Sequence, residues 1–158
     1  MTKENKKIKN AKKVDGFKSN LERSCIKLLK EAGLNFQYES NKFNIFEGFT
    51  PALYLYEKSS NGIKEKSKKD GSCIAMKPIS YTPDFYLETE KAIIFIETKG
   101  YKNDTYPLKR KLFFKHITSY KELYKIKKQI FFFEPTNIKE IRECIIIINK
   151  ILKNGYKE

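Results

Sequence analysis

Histidine occurs once in the 158 residues, cysteine three times, and arginine only as Arg23, Arg110 and Arg142. Cys25, Cys73 and Cys144 are far apart and His116 stands alone, so they show neither the spacing of a zinc-type cluster nor that of a disulfide framework. Reduced thiols in an intracellular protein are the expectation. Long apolar runs are missing too: no window approaches a membrane span, and the first residues contain no apolar h-region. That points to a soluble, cytoplasmic protein with no membrane partner. Acidic residues are the most telling shortage. Lysine and arginine total 33 against 19 aspartate and glutamate, a net charge of +14. An AT-rich coding sequence explains lysine in place of arginine but not a surplus over acids. A polyanionic partner is therefore expected, most commonly a nucleic acid.

What is present fits one domain with a real core. Residues 1–16 are basic with little to bury and are expected to form a flexible tail, leaving 17–158 as the folded domain. Ser19-Asn20-Leu21-Glu22 is a capping box with Glu22 as its acidic member. Leu21, Cys25, Leu28, Leu29 and Ala32 then recur at helical spacing until Gly33 ends the helix. Residues 35–39 and 43–46 are expected as a strand and its irregular continuation, with Glu39 and Glu47 solvated. Residues 52–57 and 72–76 are expected as strands around a long basic loop, 58–71.

Further on, Thr105 suits an N-cap and Pro107 a first helical turn. Leu108, Leu112, Phe113 and His116 mark one side of this helix, and Lys109, Arg110, Lys111 and Lys115 the other. With Lys102 just before it, the basic side is a candidate DNA-binding surface. His116 is expected to be structural. Residues 121–127 are helical or irregular, and 129–133 form a strand ended by Pro135. Thr136 or Asn137 caps a last helix reaching about Lys153, with Gly155 beyond it. Ile138, Ile141, Ile145, Ile148 and Leu152 make its buried stripe. Residues 145–148 are apolar all round, which predicts packing against both the sheet and a partner subunit. No internal repeat is apparent.

The chain is organised around Tyr81-Thr82-Pro83-Asp84-Phe85-Tyr86-Leu87 and Ile93-Ile94-Phe95-Ile96-Glu97-Thr98-Lys99-Gly100. Joined by the polar turn Glu88-Thr89-Glu90-Lys91, these apolar runs spell a β-hairpin. Leu87 should face Ile94, with Asp84 opposite or nearly opposite Glu97. Opposed Cβ atoms lie about 4.5–5.5 Å apart, close enough for two carboxylates to grip one cation. Alternation places Lys99 on the same face as Glu97. Residues 92–96 are apolar on both faces, so the strand should be covered on both sides. Charges at the mouth of such a strand are costly to bury, which marks them as functional candidates.

Asp84 after Pro83, together with Glu97-Thr98-Lys99, is similar to the P-D…(D/E)-x-K signature that names a nuclease superfamily. Tyr81-Thr82-Pro83-Asp84-Phe85 and Phe95-Ile96-Glu97-Thr98-Lys99-Gly100 resemble the corresponding segments of the phage endonuclease I family, enzymes that resolve branched DNA such as Holliday junctions. So do Phe17-Lys18-Ser19-Asn20-Leu21-Glu22 and Gly33-Leu34-Asn35-Phe36-Gln37-Tyr38-Glu39 upstream. The resemblance implies an α/β fold with a restriction-endonuclease-like core, a mixed central β-sheet flanked by helices. It implies Mg²⁺, with Mn²⁺ able to substitute, held by Asp84, Glu97, the Thr98 backbone carbonyl and Glu22. Hard oxygen ligands without a Cys or His cluster favour those ions over zinc. Glu22, Asp84, Glu97 and Lys99 are then the catalytic set, with Lys99 orienting the attacking water or stabilising developing charge.

The resemblance further implies a homodimer with exchanged elements, working on branched DNA in a bacterium or a phage-infected bacterium. In such a dimer Glu22 would reach the cluster of the other subunit. The 58–71 insertion departs from the family, where a shorter connection is expected. Two other readings stand beside this one. A restriction-like or transposase-end nuclease could use the same core, and a non-catalytic nucleic-acid-binding protein could carry the basic surface alone. The intact set Glu22, Asp84, Glu97 and Lys99 speaks against the latter.

Overall fold

The structure, a computed structural model, describes residues 19–67, 73–100 and 104–154. The expected tail 1–16, Lys102 and Gly155 lie outside them. Helix α1 (Asn20–Glu31) begins where the capping box predicts, with the Ser19 hydroxyl accepting the Glu22 N–H at 3.1 Å. It ends in a left-handed Gly33 (φ +68°). There the Gly33 and Leu34 N–H groups close back on Lys30 and Leu29, each at 3.0 Å.

The strands follow as β1 (Gln37–Tyr38), β2 (Phe43–Phe46), β3 (Tyr56–Ser59), β4 (Gly62–Glu65), β5 (Ile79–Tyr81), β6 (Phe85–Glu88) and β7 (Ala92–Ile96). Helix α2 (Tyr106–Leu123), β8 (Gln129–Phe133) and helix α3 (Ile138–Asn154) complete the chain. The fold is mixed α/β. Its main sheet runs β1-β6-β7-β8, with β7 and β8 parallel and the other pairs antiparallel. The central hairpin has the register expected from sequence: Phe85 pairs with Ile96, Tyr86 with Phe95 and Leu87 with Ile94.

Strand alternation sorts the core into two clusters. Phe85, Leu87, Ile94 and Ile96 point to one side, where Cys25 and Leu29 of α1 and Ile141 and Ile148 of α3 cover them. Phe95 points to the other, against Phe113 of α2, Ile45 of β2 and Tyr81 of β5. Strand β7 is thus covered on both faces, as its uninterrupted apolar run requires. All three cysteines are free thiols, and burial pushes Cys25 up to about 12. Among the described residues no helix is long and apolar enough to cross a membrane.

Several expected elements differ. Residues 81–87 do not form one strand: Tyr81 ends β5, which pairs with β2, and Phe85 opens β6. Pro83 between them has no N–H to offer a ladder, so pairing changes sheets there. The 58–71 segment is not an open loop. Its first half folds as the β3–β4 hairpin, turning at Ser60-Asn61 into a left-handed Gly62 (φ +102°). Residues 73–76 supply only isolated bridges, Ser67 to Cys73 and Phe49 to Met76. Leu108 is exposed, because Tyr106 and Phe113 take the inward positions of α2.

Asn137 caps α3, its Oδ1 accepting the Glu140 N–H at 3.0 Å. Ile138 is exposed, and Ile151 extends the buried stripe in its place. Ile146 and Ile147 are exposed on the outer face of α3, while Ile148 is fully buried. Ile148→Ala should therefore cost about 2–5 kcal/mol in urea unfolding, and Ile146→Ala under about 0.5 kcal/mol. Equal costs would mean that the outer face of α3 is covered by a second subunit.

Candidate active site

Three carboxylates are buried among the described residues, and all three meet at one end of the central hairpin: Glu22 (6 % exposed), Asp84 (8 %) and Glu97 (3 %). Their convergence follows from the local chain. Tyr38 pairs with Phe85 across β1 and β6, and the Glu39 N–H donates to the Asp84 carbonyl at 2.9 Å. This brings β1 to the head of α1, where the Tyr38 hydroxyl donates to Glu22 Oε2 at 2.6 Å. On the other side, the Glu97 N–H donates to the Phe133 carbonyl and the Lys99 N–H to that of Pro135. The chain beyond β7 thus stays locked to the chain beyond β8.

The side chains interlock. Asp84 Oδ2 accepts both the backbone N–H and the hydroxyl of Thr98, at 2.8 and 2.7 Å. The Asp84 N–H donates to Glu97 Oε2 at 3.3 Å, and Lys99 Nζ donates to Glu97 Oε1 at 2.6 Å. The Lys99 ammonium also sits 4.4 Å above the centre of the Tyr106 ring. Tyr106 in turn donates to Glu134, as does Arg110 at 2.6 Å. The Tyr81 hydroxyl is buried beside Glu97 and Tyr106 without hydrogen-bond geometry to either.

A polar cavity of about 270 Å³ opens here, lined by Glu22, Glu39, Asp84, Glu97, Lys99 and Lys109 among others. Three buried carboxylates face one partly buried ammonium, so the interior is anionic although the protein is strongly cationic. Asp84 registers the imbalance. Burial first, then the charge of Glu97, push its carboxyl up to about 7, against the pull of its two Thr98 bonds. A cation would relieve the repulsion. Among the described residues no group of three or more His, Cys, Asp or Glu side chains is placed to hold a metal ion. Mg²⁺ does not need such a group, since it is commonly held by one or two carboxylates plus water and substrate oxygens. The all-oxygen pair Asp84 and Glu97, backed by Glu22, fits such an ion.

The structure therefore brings together Glu22, Asp84, Glu97, Thr98 and Lys99 and sets Lys109 at the rim. Arg110 is turned to Glu134, and Lys111 and Lys115 are exposed on α2 outside the cavity. Four participants were not assigned from sequence. Glu39, expected to be solvated, is turned inward by a left-handed backbone (φ +45°). Tyr38 orients Glu22, while Tyr106 and Glu134 back Lys99. Only the hydroxyl tips of the tyrosines betray their roles, and these depend on long-range pairing. Compared with known proteins, the chain matches no protein-family model, no curated protein and no solved structure.

The raised Asp84 carboxyl has a sign that can be checked. Its proton is held more tightly in the folded than in the unfolded chain, so native stability falls as pH rises from about 4 through 7. Asp84→Asn removes that loss while keeping an acceptor for Thr98. In EDTA its unfolding midpoint should exceed that of the wild type by at least about 2 °C at pH 8 and match it at pH 4, as read by differential scanning calorimetry. Mg²⁺ should raise the wild-type midpoint at pH 8 and leave the variant unmoved.

Proposed function

We propose that the chain is a metal-dependent endodeoxyribonuclease of the P-D…(D/E)-x-K type with a restriction-endonuclease-like core. Its preferred substrate in this reading is branched DNA such as a four-way junction, as in the phage endonuclease I family that the sequence resembles. One observation carries the proposal: the buried carboxylates Glu22, Asp84 and Glu97 share a polar cavity with Lys99 in a protein of net charge +14.

Asp84, Glu97 and the Thr98 carbonyl would hold Mg²⁺ or Mn²⁺, with Glu22 as an additional carboxylate behind them; when bound the ion supplies charge neutralisation at the phosphate and an acidified water. The protein's own groups do the rest. Thr98 fixes Asp84 through Oδ2, and the ladder beyond β8 fixes Glu97. Lys99 is held between Glu97 and the Tyr106 ring, a cation at the place where phosphate oxygens gain negative charge. Lys109 at the rim, Lys111 and Lys115 along α2, and Lys102 before it bind the DNA backbone; Arg110 reaches it only by leaving Glu134. Two strands at a branch need two sites, hence a homodimer.

The test is cleavage of a labelled four-way junction and its matching linear duplex. Paired nicks across the junction are expected in Mg²⁺ and not in EDTA. Asp84→Ala should slow them more than about a hundred-fold, beyond the usual effect of losing an outer-shell partner. Equal cutting of both substrates would keep the nuclease and remove the branch preference. Binding without cutting, indifferent to Asp84→Ala, would leave a nucleic-acid-binding protein.

A further inference from the structure

Next to the carboxylate cavity lies a larger one, of about 470 Å³, that the chemistry above does not use. The two are adjacent in the chain itself. Glu39 lines the first; Ser40, Asn41 and Lys42 line the second. The left-handed turn at Glu39 lets neighbouring residues face different cavities. The second cavity is walled by the rings of Phe43, Tyr86 and Tyr120 and by branched aliphatic side chains from β7, α2 and β8. Ser40, Asn41 and Lys42 are the polar residues of its lining.

The aromatic wall continues outward. Along α2, His116 stacks on Tyr120, and Tyr120 meets Tyr124 with ring centres 4.4 Å apart. Tyr120 and Tyr124 are 44 % and 62 % exposed, an uncovered ring surface in a lysine-rich helix end. Ring faces beside an apolar slot, an amide to read a polar edge and an ammonium alongside match an unpaired base on its phosphate backbone. The size falls within the range of small-ligand pockets. The Glu39 N–H meets the Asp84 carbonyl at 2.9 Å, so Ser40, the next residue, begins the lining of this cavity close to the carboxylates.

We propose that this aromatic cavity receives an unpaired nucleobase of the nucleic acid engaged at the neighbouring carboxylates. The inference rests on the nuclease reading and narrows it: among branched DNAs, those with an unpaired or frayed base at the branch would be favoured, because a perfect duplex keeps that base stacked. Paired bases would first have to be pulled from the helix, which costs least where pairing is already broken.

The experiment uses the full chain in EDTA, so that binding is read without cleavage. A duplex with a three-nucleotide bulge carrying 2-aminopurine is compared with the perfect duplex by anisotropy and fluorescence. The wild type should bind the bulge about ten-fold more tightly and quench the 2-aminopurine, as stacking on one aromatic ring allows. Tyr120→Ala should lose both effects while binding the perfect duplex as before, and Tyr120→Phe should keep them. Asn41→Ala, in the polar lining and away from the core, should lower the bulge preference even if Tyr120→Ala proves unstable. Equal affinity for bulge and duplex, or both readouts unchanged in Tyr120→Ala and Asn41→Ala, would overturn the base cavity and leave the nuclease reading untouched. Failure to bind either DNA would overturn both.

Discussion

Asp84 and Glu97 are pressed together, with Glu22 behind them, in a setting that penalises charge, and the rest of the molecule keeps them from moving apart. The β6–β7 ladder ends at Phe85 and Ile96, one step short of the pair. Beyond that point each residue is held from its outer side. Asp84 is tied by its carbonyl to Glu39 next to β1, and Glu97 by its N–H to Phe133 at the end of β8. The sheet order β1-β6-β7-β8 therefore clamps the two carboxylates at the backbone, where repulsion between side chains has no means of relief. Thr98 adds a side-chain clamp by spending its N–H and its hydroxyl on one oxygen of Asp84.

The two layers around the sheet divide the remaining tasks. The α1 and α3 side supplies apolar cover and, through the start of α1, Glu22. The α2 side supplies the cationic half of the site. Tyr106, at the first position of α2, lies under the Lys99 ammonium and is held by Glu134 just past β8, which also binds Arg110. Strand β7, helix α2 and strand β8 thus behave as one unit. The chain just past β7 carries Glu97 and Lys99, the helix carries the ring that steadies Lys99, and the chain just past β8 carries the acid that steadies the ring.

How much of this the sequence disclosed depended on the range of the interactions. The hairpin register was legible, since alternating apolar residues and a short polar turn allow one pairing that keeps both faces buried. That placed Asp84 beside Glu97 and Lys99 correctly. The capping box gave the start of α1, and Glu22 looked torn between cap and site. The structure divides its parts: its N–H meets the Ser19 hydroxyl, while its carboxylate meets Tyr38. Tyr38, Glu39 and Glu134 were not recoverable, because their roles arise from strand pairing between distant segments and, for Glu39, from a backbone angle that no residue type announces. The β3–β4 hairpin was hidden for a different reason. All its residues but Ser59 are exposed, so burial left no periodic mark on its sequence.

Stability alone does not account for the arrangement. Glu22 gains something from the helix it caps, since a carboxylate in the first turn faces the positive end of the helix dipole. Asp84 and Glu97 have no such return: apolar residues of similar volume could extend the two flanking clusters, and a buried pair of like charges weakens the native state. Lys99 compensates Glu97 but leaves Asp84 raised toward neutrality by its surroundings. A fold that clamps two carboxylates against their own repulsion and leaves the adjoining cavity polar keeps an anionic site at a cost in stability, and a cation bound there would offset that cost. The proposed nuclease reading joins this anionic cavity to the strongly basic remainder of the protein, since hydrolysis of a nucleic-acid backbone would call on acids to hold a cation and on lysines to hold the polyanion.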